Sequence, residues 1–537
     1  MAPFHGHRSL ATCWGLAVGA LLAAGAASAY THHTGKIRFQ EPSPAVFDQA
    51  ARDGKPVFML ISAVWCYWCK TFEQDTLRAE HVAGYLNRAW LNVFVDHDRH
   101  PDLARKHVRG LPMVVLFGPD GRVRQSFAGA LKTQDFLDVL NRVESDVRST
   151  LARASPVEPA PSREGPAPAV PVSADAYRHL VEALARYVDE QADTTHGGFG
   201  AGSKAPHGRL LALLAEHESV APDRRRAVAI ERTLDGSLRG LYDAVEGGFF
   251  HYAAGRDWSD PRYEKLLHVN AALLVALDSA HRMTRKRSYR EAADATAAYV
   301  LRTLYDRQQG GFFNSQTADP AYYRLSATLR RAAPKPPVNR DKLAASNGEA
   351  IVAFLAVGQS AGRHDLRDAA LSSLELMRQR FLTDRGVYHM LDGRTGAGQL
   401  RGRLEANAWA ALAFLDGHRV SGRAMYRAAA ERVIGYALAE LVDPARGVFV
   451  DASSSGARAA GEAEVPLEAN GVIALALVRA HQATGRAEYR DAARRALATL
   501  GGRVNVVFAG EPEMTSVKAV ADTALYLRAY GELVREP

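Results

Sequence analysis

The sequence predicts a multidomain protein: an α/β domain followed by an all-α domain whose six helical hairpins close into an (α/α)6 toroid. Three observations carry this. A strand-and-helix pattern surrounds "SAVWCYWCK" in the first 150 residues. A Pro/Ala-rich stretch follows it. Beyond that, Ala/Leu-rich segments alternate with Arg/Glu-rich amphipathic ones to the end of the chain. At 537 residues the chain exceeds one ordinary domain, and 47% hydrophobic with 23% charged residues describes a globular protein with ample core. The formal net charge of +8 is modest for this length, and no basic-aromatic interleaving stands out, which argues against nucleic acid.

Residues 1–29 read as a signal peptide. "MAPFHGHRSL" carries one Arg and no acid, "ATCWGLAVGALLAAGA" is an apolar core, and Ala27-Ser28-Ala29 is a small-residue cleavage site. The mature chain then starts at Tyr30, and the alternative is an uncleaved anchor. No later segment is long and apolar enough to span a bilayer. A periplasmic or secreted location is therefore expected. Of the three cysteines, Cys13 leaves with the leader, so Cys66 and Cys69 remain.

Residues 30–150 form the α/β domain. "PVFML" is a buried strand, "CKTFEQDTL" a helix, "LNVFVD" a strand and "HPDLARKHV" a short helix. "LPMVVLF" and "RQSFAG" are strands joined by a turn at Asp120-Gly121, and "KTQDFLDVLNRV" is an amphipathic helix. This β-α-β-α-β-β-α order is that of thioredoxin. It places Cys66 at a helix start, where unpaired N–H groups and the helix dipole favour thiolate. Cys66 is then the attacking sulfur and Cys69, one turn on, the resolving one. Pro112 opens a strand, and a cis bond there brings backbone beside the dithiol. Trp65 precedes the pair. The competing reading is a metal site of Cys66, Cys69, His97 and His100, but His97-x-x-His100 is short of the usual zinc spacing. No metal and no cofactor beyond the Cys66–Cys69 pair is expected.

Residues 151–173 are the linker, Pro/Ala-rich and without large aromatics, an extended spacer between two cores.

Residues 174–537 repeat. "KLLHVNAALLVAL", "LAASNGEAIVAFL", "RLEANAWAALAFL" and "PLEANGVIALALV" each carry an Asn near the start of an apolar helix. Amphipathic segments such as "MYRAAAERVIGYALAELVD" lie between them, and Gly-aromatic turns such as "GGFF" recur. Twelve helices are expected, starting near Ala174, His207, Asp223, Leu266, Ser288, Asn347, Asp365, Glu405, Met425, Leu467, Glu488 and Ser516. The apolar set is buried and the amphipathic set lies outside. An open solenoid is the alternative to a closed ring. In a ring the inner helices start at one mouth, which gathers Glu264, Lys265, His268, Asn270, Asn347, Glu349, Glu405, Asn407, Glu468 and Asn470. Asp257 and Trp258 lie on a preceding loop. Such carboxylates and amides beside an aromatic suit a glycan or peptide ligand. The competing reading is that they cap helices and satisfy turns.

Two sets of residues carry a family resemblance. "KPVFMLISAVWCYWCK" and "VDHDRHPD" lie in the first domain; "HGGFGAGSKAP", "GGFFHYAAGRDWSDPRYEKLLHVNA" and "DKLAASNG" lie in the second. Together they resemble the thioredoxin-domain proteins similar to spermatogenesis-associated protein 20 and the bacterial YyaL proteins. The resemblance implies a thioredoxin-like fold joined to a six-hairpin toroid like those of glycosidases and the acylglucosamine 2-epimerase. It implies fold more than reaction. The chain departs from the family pattern at Arg262, where the family has His, at Val269 for Asp, and at Ser346 for Trp. Gln316 and Thr317 stand in a stretch that the family keeps acidic. Thioredoxin-like domains of interchange proteins also carry a buried Asp where this chain has Leu60. Glu73 is the candidate stand-in as proton acceptor, against the plainer reading of a solvated helix-face acid. The expected activity is thiol–disulfide exchange on a protein partner, with the toroid binding a ligand or partner. The alternative is a carbohydrate-active enzyme with an accessory thioredoxin-like domain.

Overall fold

The computed structural model describes residues 35–151, 169–451, 464–509 and 517–535. Residues 1–29, expected to be a leader, Tyr30 and most of the expected linker lie outside the described residues.

The first domain runs β1 (Phe39–Gln40), α1 (Pro44–Asp53), β2 (Val57–Ser62), α2 (Tyr67–Phe72), α3 (Glu80–Ala89), β3 (Leu91–Asp96), α4 (Pro101–His107), β4 (Met113–Phe117), β5 (Val123–Ala128) and α5 (Thr133–Leu151). The sheet order is β1-β3-β2-β4-β5, with β1, β3 and β2 parallel and β4 and β5 antiparallel. This is the thioredoxin-like fold, extended by β1, α1 and α3. Alternate residues of the central strands leave on opposite faces. Phe58, Leu60, Val114 and Leu116 pack with Phe72, Leu86, Phe136 and Leu140 on one side. Val57, Met59, Ile61, Val93 and Val115 pack with Val46 and Ala50 of α1 on the other. Both faces are covered, so β2 and β4 are continuous apolar runs.

The second domain is a ring of helices. The outer ones are α6 (Ala174–Gln191), α8 (Arg224–Gly240), α10 (Arg287–Tyr299), α14 (His364–Leu376), α16 (Ala424–Glu440) and α18 (Ala487–Ala509). The inner ones are α7 (Gly208–Glu218), α9 (Leu267–Thr284), α13 (Ala344–Ser360), α15 (Leu404–Ser421), α17 (Leu467–Thr484) and α20 (Ala524–Val534). Short helices α11 (Pro320–Tyr323) and α12 (Ala327–Ala332) lie between α10 and α13, and α19 (Val517–Ala521) precedes α20. Each inner helix packs on the next in order, and α20 packs back onto α7, so the ring closes. The twelfth expected helix is split into α19 and α20. Close inner-helix crossings require small residues: a Cβ at Gly348 would stand 2.8 Å from the backbone of Trp409.

Four of the six inner helices start in one register. At the fourth residue α9, α13, α15 and α17 carry Asn270, Asn347, Asn407 and Asn470. These amides are staples. Asn347 accepts from Phe312 N at 2.7 Å and donates to Phe312 O and Leu343 O, both at 2.9 Å. Asn270 and Asn470 make the same three bonds to the Phe249 and Phe449 turns and their own helix starts. Asn407 accepts from Val387 N and donates to Arg403 O. A second staple ties Lys265 to Asp243 at 2.7 Å, and Lys342 to Asp306 at 2.8 Å.

Candidate redox site at the domain junction

Cys66 caps α2. Its sulfur accepts a hydrogen bond from Cys69 N at 3.2 Å, one turn into the helix. Both cysteines are free thiols. The Leu111–Pro112 bond is cis, and Leu111 packs against the apolar cluster that holds the dithiol. Beyond Cys69 the helix continues into a π-helical turn, Glu73–Leu77. There Glu73 is buried and accepts from Ser62 Oγ at 3.3 Å, so it is not a solvated face acid.

The toroid roofs the dithiol. Cys66 is 7% and Cys69 1% exposed, in one apolar cluster with Ala63, Trp65 and Leu266, flanked by Val269. Two departures from the family pattern land here: Val269 packs on the dithiol cluster, and the Arg262 guanidinium lies 5.6 Å from the centre of the Trp68 ring. Burial, then the Cys69 hydrogen bond and the Cys69 and Glu264 charges, push the Cys66 thiol well above its usual value. The helix-start argument anticipated a depressed value. It is corrected by the roof, which desolvates the sulfur and brings an acid towards it.

Asp98 ties the two domains together. Its Oδ2 accepts from Trp65 Nε1 at 3.0 Å and from Asn314 Nδ2 at 2.8 Å, and its Oδ1 pairs with His97 Nδ1 at 3.0 Å. Its backbone oxygen bonds His389 Nε2 at 2.7 Å. Burial opposes its charge, but His97 and Trp65 outweigh it and keep the carboxyl below its usual value. Trp65 stands edge-on to His97 and to His251 of the toroid, at 5.7 and 5.8 Å. Around this centre Arg99 reaches Gln399 and Asp392, Arg403 reaches Asp102 at 2.9 Å, and Arg105 bonds Asp451. His97 is thus engaged with Asp98, while His100 lies 3.6 Å from Glu41.

The mouth groups face this junction from the toroid. The second residues of α7, α9, α15 and α17 are Arg209, His268, Glu405 and Glu468. Arg209 donates to both oxygens of Glu349, each at 2.6 Å, and also bonds Glu468. Glu264 pairs with His251 at 3.1 Å. The one ion pair of Glu405 among the described residues is a long one, to Arg105 at 4.0 Å. Burial and then the neighbouring Glu468 raise Glu405 to about 7. Burial also opposes the charge on Glu468, but Arg209 outweighs it and the carboxyl falls below its usual value. Burial, then Arg209 and His251, lower His268 to about 3, so its ring is neutral.

Sequence reasoning placed several residues wrongly and missed two. Asn270, Asn347, Asn407 and Asn470 are turn staples buried in the wall, as the capping alternative had it. Lys265 is consumed by Asp243. Trp258 is buried in the wall against Gly236 and Gly240 of α8 and donates to His196 O at 3.0 Å. Asp257 is exposed and accepts from Ser259. Arg209 and Asp98 were not anticipated. Arg209 was findable, because "HGRLLAL" aligned on "LLHVNAAL" puts it in the register of His268. Below the mouth, the bore holds a cavity of about 50 Å³ between the Arg209–Glu349 pair and Arg479 and Arg528. That is room for water, where ligand pockets span roughly 300–1,000 Å³. Among the described residues no helix is long and apolar enough to cross a membrane.

Residues 21–121 match the family described as "Thioredox_DsbH: Protein of unknown function, DUF255". Spermatogenesis-associated protein 20 of Mus musculus is 27% identical over 305 residues, 51% of this chain and 38% of the relative. The human protein of that name is 27% identical over 308 residues. The chain thus spans well under two thirds of these relatives. Among solved structures, cellobiose 2-epimerase from Spirochaeta thermophila superposes with a TM-score of 0.53 at 16% identity, covering 67% of this chain and 96% of that one. A D-mannose isomerase superposes at 0.54 and 10% identity, covering 71% of this chain and 100% of that one. At such identities the likeness concerns fold alone. The chain is thus a thioredoxin-like domain matched by that family, joined to a six-hairpin toroid of epimerase-like architecture, and similar over half its length to spermatogenesis-associated protein 20.

Proposed function

We propose that the protein is a thiol–disulfide oxidoreductase in which Cys66 attacks, Cys69 resolves, and the toroid holds the ligand or partner beside the dithiol. The observation that carries this reading is the 3.2 Å bond from Cys69 N to Cys66 Sγ at the start of α2. A helix N-terminus offers N–H groups to a thiolate, and a second thiol one turn on can displace a mixed disulfide. Buried Glu73 is the stand-in for the missing acid at Leu60. The apolar leader at residues 1–29 supports an exported, oxidising location, where a single dithiol has redox work to do. The test is trapping. Cys69→Ser should accumulate mixed disulfides through Cys66, and Cys66→Ser should accumulate none. Equal trapping by both variants contradicts the assignment.

A second reading rests on one observation. Glu405 is raised to about 7 while Glu468 is lowered, a neutral acid beside an ionised one, as acid–base chemistry on sugars requires. The sugar epimerase and isomerase among the structural neighbours share this architecture. Release of reducing sugar or epimerised product, abolished by Glu405→Gln and unaffected by Cys66→Ser, would establish a carbohydrate-active enzyme instead.

A further inference from the structure

We infer that the toroid is a built-in inhibitor of the dithiol: the structure is a closed resting state, and thiol exchange requires the thioredoxin-like domain to part from the toroid. The inference rests on the dithiol reading above and adds its regulation.

The argument begins with what lies on the sulfur. Exchange needs a disulfide sulfur brought into contact with Cys66 Sγ. Here that contact is taken. Leu266 of the toroid shares one apolar cluster with Cys66 and Cys69, and Val269 and Leu111 flank it. Ala318 N of the toroid donates to Trp65 O at 3.3 Å, a main-chain bond to the residue before Cys66. Asn314 donates to Asp98 Oδ2, the oxygen that holds the Trp65 indole. An apolar side chain on the sulfur and a main-chain N–H on the adjoining loop fill the place that a partner polypeptide needs. Tyr67 and Trp68, between the cysteines, are exposed, so the seam ends beside the sulfurs it covers.

The seam is built to separate. Each domain keeps its own apolar core. Among the described residues the one apolar cluster that the two domains share is the small one at the dithiol. Parting them leaves both cores whole. The remaining links are largely charged. Arg99 and Arg105 of the first domain meet Asp392, Asp451 and Glu464 of the toroid, and Arg403 of the toroid meets Asp102 in return. One partner of each pair stays about a third exposed, so salt and competing charges reach it.

Closure also leaves polar atoms without partners. Strands β6 (Lys265–Leu266), β7 (Ser315–Gln316) and β8 (Val338–Asn339) form a small antiparallel sheet in which Leu266 pairs with Ser315, and Ser315 with Asn339. Paired residues share a face, so Ser315 and Asn339 stand in one row with Leu266, the residue over Cys66. Ser315 Oγ and Asn339 Nδ2 are buried without a hydrogen-bond partner among the described residues. So are His389 Nδ1 and Asp451 Oδ1, although the same two side chains bond Asp98 O and Arg105 across the seam. Buried polar atoms are normally satisfied. Parting the domains gives these atoms to water, which offsets part of what opening breaks.

The experiment treats the reduced full-length protein with N-ethylmaleimide and with a maleimide carrying a long polyethylene glycol chain, and reads Cys66 by mass. Each rate is divided by the same reagent's rate on the urea-unfolded chain, so the raised thiol cancels when the two reagents are compared. Parting of whole domains should protect Cys66 from both by one common factor, about tenfold or more. Raising salt from about 0.1 M to about 1 M cuts the Debye length from about 10 Å to about 3 Å, and should speed both labellings and insulin reduction together. Asp102→Arg should do the same, and Asp102→Arg combined with Arg403→Asp should restore the slow rates. N-ethylmaleimide entering freely while the large reagent is excluded, or no protection from either, would overturn the inference. So would insulin reduction that holds steady while labelling rises. The unaltered protein decides these outcomes, so a misfolded variant does not rescue the inference. If opening exposes Cys66 and no mixed disulfide with insulin forms, the dithiol reading falls and the roof stands.

Discussion

Asn314 Nδ2 donates to Asp98 Oδ2 at 2.8 Å, a bond that crosses from the toroid to the thioredoxin-like domain. The same oxygen takes the indole N–H of Trp65, the residue before Cys66. The toroid therefore helps to set the position of the dithiol segment, and loosening one should loosen the other. Asp98→Ala leaves Trp65 Nε1 and Asn314 Nδ2 without their acceptor, at a cost of about 1–3 kcal/mol for each buried group. The melting temperature should drop, and iodoacetamide should label Cys66 severalfold faster than in the unaltered protein. Unchanged labelling would mean that Asp98 does not hold the roof.

Salt should act in the same direction. Arg105 with Asp451, Arg403 with Asp102 and Arg99 with Asp392 are the charged links across the junction. Each pair has one partner about a third exposed, so breaking it costs less than the ~3–5 kcal/mol of a fully buried pair. Arg105→Ala should speed Cys66 labelling more than Arg122→Ala, a residue on the exposed hairpin of the first domain. Equal effects would dismiss the pairs as a latch.

The raised Cys66 thiol predicts a pH dependence of stability. The folded state keeps its proton where the unfolded chain has lost it, so stability is whole below the ordinary thiol range and declines as pH rises through it. Cys66→Ser should flatten that decline in urea unfolding. Glu405 behaves alike at lower pH. The folded protein holds a proton up to about 7 that an unfolded carboxyl has already released. Stability should fall as pH rises from the ordinary carboxylate range towards 7, and Glu405→Gln should remove that slope. A rise in stability over this window would contradict the assignment.

The Asn staples are a test of the ring. Asn347→Ala orphans Phe312 N, Phe312 O and Leu343 O inside the wall. A loss of about 1–3 kcal/mol is expected for a buried unsatisfied group, read as a lower urea midpoint. Asn470→Ala should match it, because the same bonds recur at Phe449. A near-neutral result at both would return these amides to the list of ligand groups.

The sequence announced the architecture through its periods. Continuous apolar runs marked the central strands, and the repeated Asn marked the inner helix starts. The mouth was legible only in part. Asn is both a ligand type and a turn staple, and one chain cannot separate the two; geometry assigns it to the turns. Arg209 hid because α7 lacks the Asn that flags four of its fellow helices, having Leu211 at that place. The roof over Cys66 depends on how two domains dock, and local pattern carries no such information. Val269 and Arg262 read as losses from a family pattern, yet both meet the dithiol segment.

The most direct measurement is a redox titration of the full-length protein against dithiothreitol buffers, read by mass after thiol trapping. A single two-electron transition confined to Cys66 and Cys69, and absent from Cys66→Ser, is the expected result. Failure of the pair to form a disulfide at any poise, with the protein still folded, would contradict the thiol–disulfide assignment.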